Sequence, residues 1–377
     1  MTENKVFKGL EGVYVAESKL SLIDGENSKL YYVGYDVEEL AEKSCYEEVV
    51  FLLFNQRLPT RMELEDFTGK MVRYRSLWRE QLEFIDKFDG GVEPLGLLSS
   101  LLLISYDIDS RYIGDDYRER AVRLVSLTAS GLAAIIRKGM GLDWVKPNPS
   151  LAHAANFHYM ITGEVPSRED SEILEKLLIL QAEHGLPAST FAALVTASTM
   201  ADLYSSLVSG LLALRGPLHV GASEAAHDQL TEIGSPDRVE EWFNRAMSEK
   251  RRIMGFGHRV YRTYDPRARI LRGIARRLAN SRGGEIRRLY EVAARLEEVG
   301  IKHLAPRGIY PNVDYWSPII YTALGIPKRY YTLMYAMSRV AGIVAHVLEY
   351  WTDNKLIRPL HLYTGEYGRK YIPIEQR

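Results

Sequence analysis

Apolar and polar positions follow two different rhythms along this chain. Over 13–35 the rhythm is that of strands. Tyr31, Tyr32, Val33 and Tyr35 favour extended backbone and Asp24-Gly25 supplies a turn, so a strand or hairpin is predicted there. From about residue 36 onward the spacing is helical. Val37-Glu38-Glu39-Leu40-Ala41-Glu42-Lys43 begins it and 46–54 continues it. Leu58-Pro59-Thr60 interrupts, with Thr60 placed to cap a helix that opens at Arg61-Met62-Glu63-Leu64. Further helices are predicted over 78–88, 93–106, an amphipathic 121–137, 150–162 and 168–184, with breaks at Pro147-Asn148-Pro149 and Pro166. The stretch 190–214 reads as one long helix, rich in the Ala, Ser and Thr that allow helices to approach closely. Gly216-Pro217 and Gly325-Ile326-Pro327 are sharp breaks, and a long helix over about 330–352 follows the second. The predicted fold class is mainly α, with a short N-terminal β element.

Composition narrows the class of function. The 377 residues are 46% hydrophobic and 26% charged, ordinary for a globular chain with room for two domains. Forty-eight Lys and Arg against 49 Asp and Glu leave a net charge of -1, which disfavours a globally basic nucleic-acid binder. A single cysteine, Cys45, excludes an intrachain disulfide and a Cys-based metal cluster, and a cytoplasmic setting is expected. The N-terminal Met1-Thr2-Glu3-Asn4-Lys5 has no apolar signal core, and apolar runs such as 97–105 are too short to span a bilayer. No membrane partner is therefore expected. Charge is neutral overall but not locally. Between Arg245 and Arg277 stand eleven Lys and Arg and only two acids, Glu249 and Asp265. Arg269, Arg272 and Arg276 lie at helical spacing and suit a solvated face. Arg252, Arg262 and Arg267 flank a Gly-His turn and suit a polyanionic ligand better.

Three distant fragments carry the chemistry: Pro217-Leu218-His219, Met254-Gly255-Phe256-Gly257-His258-Arg259-Val260-Tyr261-Arg262 running on to Asp265-Pro266-Arg267, and Pro311-Asn312-Val313-Asp314. Two imidazoles, a carboxylate and fixed positive charges can take a proton from a weak carbon acid, hold the oxyanion and polarise a second carbonyl. The glycines before His258 let backbone approach a ligand. Asp265-Pro266 is read as a helix start, Asp as cap and Pro as first residue. Ser317-Pro318 is read as a similar pair, leaving Asp314 free for chemistry. The other histidines, His153, His158, His227, His303, His346 and His361, have no metal-ligand spacing, and no metal is assigned.

These fragments resemble citrate synthase, most closely its short archaeal and bacterial form, and the likeness runs from Lys8-Gly9-Leu10-Glu11-Gly12 to Tyr371-Ile372-Pro373. The resemblance implies a helical homodimer that closes over oxaloacetate. Its large helical domain would span 1–216 and 325–377. A smaller domain, 217–324, would carry most of the catalytic and CoA-binding residues. It implies that Asp314 removes the acetyl methyl proton, that His219 stabilises the enol and that His258 polarises the ketone. His184, Arg267, Arg339 and Arg358 would bind oxaloacetate, Arg358 reaching into the neighbouring subunit's site. Arg252, Met254, Gly255, Phe256, Gly257, Arg262 and Asn312 would hold acetyl-CoA, a cosubstrate; no tightly bound cofactor is implied. The chain departs from the family at Val220, Pro318 and Leu360. Two other readings are 2-methylcitrate synthase, which uses propionyl-CoA, and a paralogue that binds CoA or a tricarboxylate without turnover.

Overall fold

The N-terminal strand rhythm folds as a three-stranded antiparallel sheet in a computed structural model that describes residues 6–216 and 221–377. Strands β1 (Ser21–Asp24) and β2 (Lys29–Tyr32) form a hairpin in the register Ser21↔Tyr32 to Asp24↔Lys29, and β3 (Tyr35–Asp36) extends it. Leu30 and Tyr32 alternate inward and are fully buried.

Asp36 ends the sheet and caps α1 (Val37–Lys43) by accepting the Glu38 N–H. After α2 (Tyr46–Asn55), Thr60 opens α3 (Arg61–Arg73) in a capping box, its hydroxyl accepting the Glu63 N–H while the Glu63 carboxylate accepts the Thr60 N–H. Helices α4 (Arg79–Asp86) and α5 (Pro94–Ile113) follow. Helix α6 (Tyr117–Gly139) departs from its expected amphipathic character: every residue from Arg120 to Arg137 is buried. Most of its buried polar groups meet protein partners rather than water. Arg123 pairs with Asp109 at 3.1 Å and bonds Gln81 at 2.9 Å, and Tyr204 donates to Asp109 at 2.7 Å.

Helices α7 (His153–Thr162) and α8 (Arg168–Gln181) lead to a second departure. The single helix expected over 190–214 is two, α9 (Ala188–Ala197) and α10 (Leu203–Leu214). Met200 adopts φ 64 and Asp202 caps the second helix through the Ser205 N–H, so the chain folds back and the two helices pack together. Gly210 allows the close approach: a β-carbon there would lie 2.8 Å from the Ser189 carbonyl oxygen.

Helices α11 (Ala222–Ile233), α12 (Val239–Ser248), α13 (Pro266–Arg282), α14 (Gly284–Leu304) and α15 (Val313–Ala323) pack on one another, and α16 (Tyr331–Tyr350) returns to the first group, against α2, α6, α8, α9 and α10. Asp265-Pro266 does start α13, as expected, with Asp265 accepting the Arg267 N–H. Ser317-Pro318 does not cap anything. Asn312 caps α15, and Pro318 lies inside it, withholding an N–H from the Asp314 carbonyl one turn earlier. Among the described residues one helix, Lys328–Asp353, is long and apolar enough to cross a membrane, contrary to the expectation from apolar runs. Here it is a core helix, with Val340, Ile343 and Val344 fully buried. Beyond it, 354–377 has one short helical turn and exposes apolar side chains, with Leu360 86%, Tyr367 92% and Tyr371 80% accessible.

Candidate active site

The turn that bears His258 is built as half of a small backbone ladder. Gly257 N–H donates to the Tyr310 carbonyl and Asn312 N–H to the Gly255 carbonyl, both at 2.8 Å, with Phe256 bridging Pro311. Gly255 needs its hydrogen for two reasons: its φ is 77, and a β-carbon would lie 2.7 Å from the Tyr315 Cα. Asn312 locks the ladder by side chain. Its Oδ1 accepts the Asp314 N–H at 2.9 Å and its Nδ2 donates to the Gly257 carbonyl at 2.7 Å. His258 and Asp314 therefore follow directly from two paired segments, and their mutual placement is set by backbone.

The protonation state of His258 is fixed by its surroundings. Its Nδ1 accepts the N–H of Val260 at 3.0 Å and of Tyr261 at 3.1 Å. That ring nitrogen must be unprotonated, so the proton sits on Nε2, which can donate outward. Burial, then the nearby Arg267 charge, pull its pKa down to about 4, so the ring is neutral near pH 7. His184 packs edge-on to it, ring centres 5.0 Å apart, with Nε2 3.3 Å from the Tyr261 hydroxyl. Burial, then the charges of Arg267 and Arg339, hold His184 well below the ordinary imidazole range.

Two buried arginines complete this wall. Arg267 forks onto Asp265, Nε to Oδ1 at 3.0 Å and Nη2 to Oδ2 at 2.7 Å, while its buried Nη1 has no hydrogen-bond partner. Arg339 donates Nε to the Gln181 carbonyl at 2.9 Å, lies over the Tyr335 ring, and keeps a buried Nη2 without a partner. Unpartnered guanidinium N–H groups beside two neutral imidazoles are suited to a carboxylate ligand. Asp314, half-buried in the first turn of α15, has its pKa raised by burial; the Ser223 hydroxyl, bonded to Oδ1 at 2.8 Å, opposes the rise.

The structure thus brings His184, His258, Arg267 and Arg339 together. His219 and Val220 lie outside the described residues. Arg358 is exposed on the C-terminal tail. Of the residues expected to hold CoA, Arg252 and Arg262 are exposed beside the Gly-Phe-Gly turn, and Met254 N–H is bonded to Gln229 at 2.8 Å. Phe256 is a packing residue, with its ring edge-on to Tyr315 at 5.0 Å and against Gly300. Among the described residues no group of three or more His, Cys, Asp or Glu could hold a metal.

Several contributors escaped sequence reasoning. Asp265 caps α13 and also orients Arg267, a double duty hinted at only by the two-residue spacing. Tyr261, Ser223 and the brace around His184 carried no signal. In that brace Tyr32 donates to the Glu183 carbonyl at 2.9 Å, and the Glu183 carboxylate meets Ser21 and His346, each at 2.9 Å.

Comparison with known proteins agrees with this geometry. The family model "Citrate synthase, C-terminal domain" matches residues 9–360. A citrate synthase of Saccharolobus solfataricus is 41% identical over 376 residues, covering 99% of both chains. The crystal structure of the Thermotoga maritima citrate synthase superposes with a TM-score of 0.89 at 44% identity, covering 99% of both chains. That of Thermoplasma acidophilum, a ternary complex with carboxymethyl coenzyme A and oxaloacetate, gives 0.92 at 36% identity, covering 99% of this chain and 100% of its own. The chain belongs to the citrate synthase family.

Proposed function

We propose that the chain condenses acetyl-CoA with oxaloacetate and water, giving citrate and CoA. The observation that carries this reading is His258: two backbone N–H groups fix its Nδ1, so a neutral imidazole keeps Nε2–H free to donate, beside His184 and the buried Arg267, whose Nη1 lacks a partner. The spare guanidinium N–H groups hold the oxaloacetate carboxylates, with His184, and His258 donates to the ketone oxygen. Asp314 takes a proton from the acetyl methyl group. Burial raises its basicity, which an ordinary carboxylate lacks for this task. His219 is assigned the donor to the thioester oxygen. The enol then attacks the ketone carbon, and water cleaves the resulting thioester to citrate and CoA.

A homodimer belongs to the same proposal. The C-terminal tail presents Leu360, Tyr367 and Tyr371 to solvent, apolar surface that a second copy would cover. Arg358, on that tail, would then reach the partner's oxaloacetate site. We also assign the mobile unit to 217–324, closing on the remainder around oxaloacetate, and place the protein in the cytoplasm. Its one thiol, Cys45, is pushed up to about 12 by burial.

The test is thiol release from acetyl-CoA and from propionyl-CoA side by side, with oxaloacetate present. Faster turnover of acetyl-CoA is expected. Absence of thiol release, or a higher kcat/KM for propionyl-CoA, would overturn the assignment.

A further inference from the structure

Ser223, the second residue of α11, is buried and donates its hydroxyl to Oδ1 of Asp314 at 2.8 Å, although it is 91 positions away in sequence. Ser317 stands one turn along α15 from Asp314, its hydroxyl oxygen 3.4 Å from that of Ser223. Ser223 has one proton and spends it on the carboxylate, so Ser317 is the donor across the 3.4 Å contact. The result is a directional chain, Ser317 to Ser223 to Asp314, in which each bond polarises the next.

The charges around Asp314 come from both packed neighbours and its own helix. Glu224 on α11 and Asp265 at the start of α13 oppose a second negative charge, whereas Arg267 on α13 favours it. Tyr321, two turns along α15, also feels the Asp314 charge. Glu224 is anchored by the Thr332 N–H at 2.7 Å, and its other carboxylate oxygen is buried without a hydrogen-bond partner. Burial first, then the Ser223 hydroxyl and, more weakly, the arginine and two acids set how readily Asp314 ionises, but burial and these three charges do not aim it. The hydroxyl bond does, because it occupies one of two otherwise equivalent oxygens.

We propose that Ser223 is the positioning residue of the base, engaging Oδ1 so that Oδ2 is the oxygen that takes the substrate proton. This rests on the assignment of Asp314 as base. In that step the acetyl C–H bond breaks, its electron pair becomes the C=C bond of the enolate, the carbonyl π pair moves onto the thioester oxygen, and the proton joins Oδ2, turning the carboxylate into a carboxylic acid. Ser223 also stabilises the ionised form, so it keeps the base charged to lower pH than its neighbours alone would.

The experiment is the pH profile of kcat/KM for acetyl-CoA in the full chain and in Ser223→Ala and Ser223→Thr. Activity needs ionised Asp314 and is lost as pH falls through its pKa. Removing a donor to the charged form therefore moves the acid limb to higher pH, by about one unit for a charge-assisted bond. Ser223→Ala should show that shift together with a roughly tenfold lower rate on the plateau, which is lost aim rather than lost ionisation. KM for oxaloacetate should not change, and Ser223→Thr, which keeps the hydroxyl, should move back toward the parent in both respects. A rate loss with the acid limb unmoved would mean a packing role and overturn the inference, as would an unaltered rate and limb. Asp314→Asn is measured in parallel. If it stays active, the base assignment falls and takes the inference with it. If it is inactive while Ser223→Ala leaves the limb in place, only the inference falls.

Discussion

Replacing Gly25 by alanine would wedge the hairpin off the histidine turn. The tip of the hairpin lies against the segment after His258: the Gly25 carbonyl accepts the Arg262 N–H at 3.1 Å and the Thr263 hydroxyl at 3.2 Å. A β-carbon at position 25 would sit 2.8 Å from the Val260 carbonyl carbon and 3.2 Å from the Tyr261 nitrogen, closer than ordinary contact at 3.4 Å or more. Every atom it meets is backbone, so no side chain can swing aside. Relief requires one backbone to move by roughly 0.5–1 Å, and a misplacement of that size near a reacting group costs on the order of 10²-fold. The Val260 and Tyr261 amides are the two donors that orient His258, so the displaced atoms are those that matter. Weakened bonds at Gly25 would add about 0.5–1.5 kcal/mol each to the stability loss. The expected result is a fall of about 30- to 100-fold in kcat/KM for oxaloacetate, read by thiol release, with a lower thermal midpoint. Gly69→Ala is the control: it lies inside α3 with nothing within 4 Å of the added carbon, and helix propensity favours it by up to about 1 kcal/mol. If Gly25→Ala keeps kcat/KM within twofold of the parent, the hairpin does not hold the imidazole in place.

Three further outcomes are expected. Asp314→Asn should leave oxaloacetate binding, followed by calorimetry, nearly intact while removing most turnover, on the order of 10³-fold for a lost general base; turnover within a few-fold of the parent would defeat the base assignment. Arg358→Ala should weaken oxaloacetate binding, and mixing it with Asp314→Asn subunits should restore activity if each site takes this arginine from its neighbour; no recovery after confirmed subunit exchange would argue against a shared site. His153, buried in α7 with neither ring nitrogen bonded, is driven down to about 3 by burial. Its folded pKa is depressed, so the stability it lends is full above the unfolded value near 6.5 and is lost as pH falls toward 3. At pH 5 the loss is about 2 kcal/mol, and His153→Phe should flatten the fall of the thermal midpoint between pH 7 and 5; an equally steep fall would show that other groups dominate.

What could be read from the sequence was what is local. Thr60, Asp265 and Pro266 announce helix starts because a cap needs only the next three residues, and the histidine turn carries its glycines beside it. Pro318 misled because a proline after serine resembles a helix start, whereas Asn312 had already capped the helix and bound Gly257 across 55 positions. The polar residues of α6 suggested a wet face because their partners, Asp109, Gln81 and Tyr204, lie on other helices. Ser223 looks like any helical serine until α15 is laid beside α11.

The β1–β2 hairpin has a consequence for the order in which the protein acquires function. It precedes every α-helix in the described chain, yet its working partners lie far downstream. Tyr32 waits 151 positions for Glu183, and Gly25 waits 238 for Thr263. Contacts that close such long loops form late, while the helices on either side need only near neighbours. Helical signal should therefore return before catalytic competence when the denatured chain is diluted into buffer, and the interval between them is the time the hairpin takes to be captured from both sides. Far-ultraviolet dichroism and thiol release followed on one refolding sample would measure it; simultaneous recovery would show that the hairpin docks as early as the helices form.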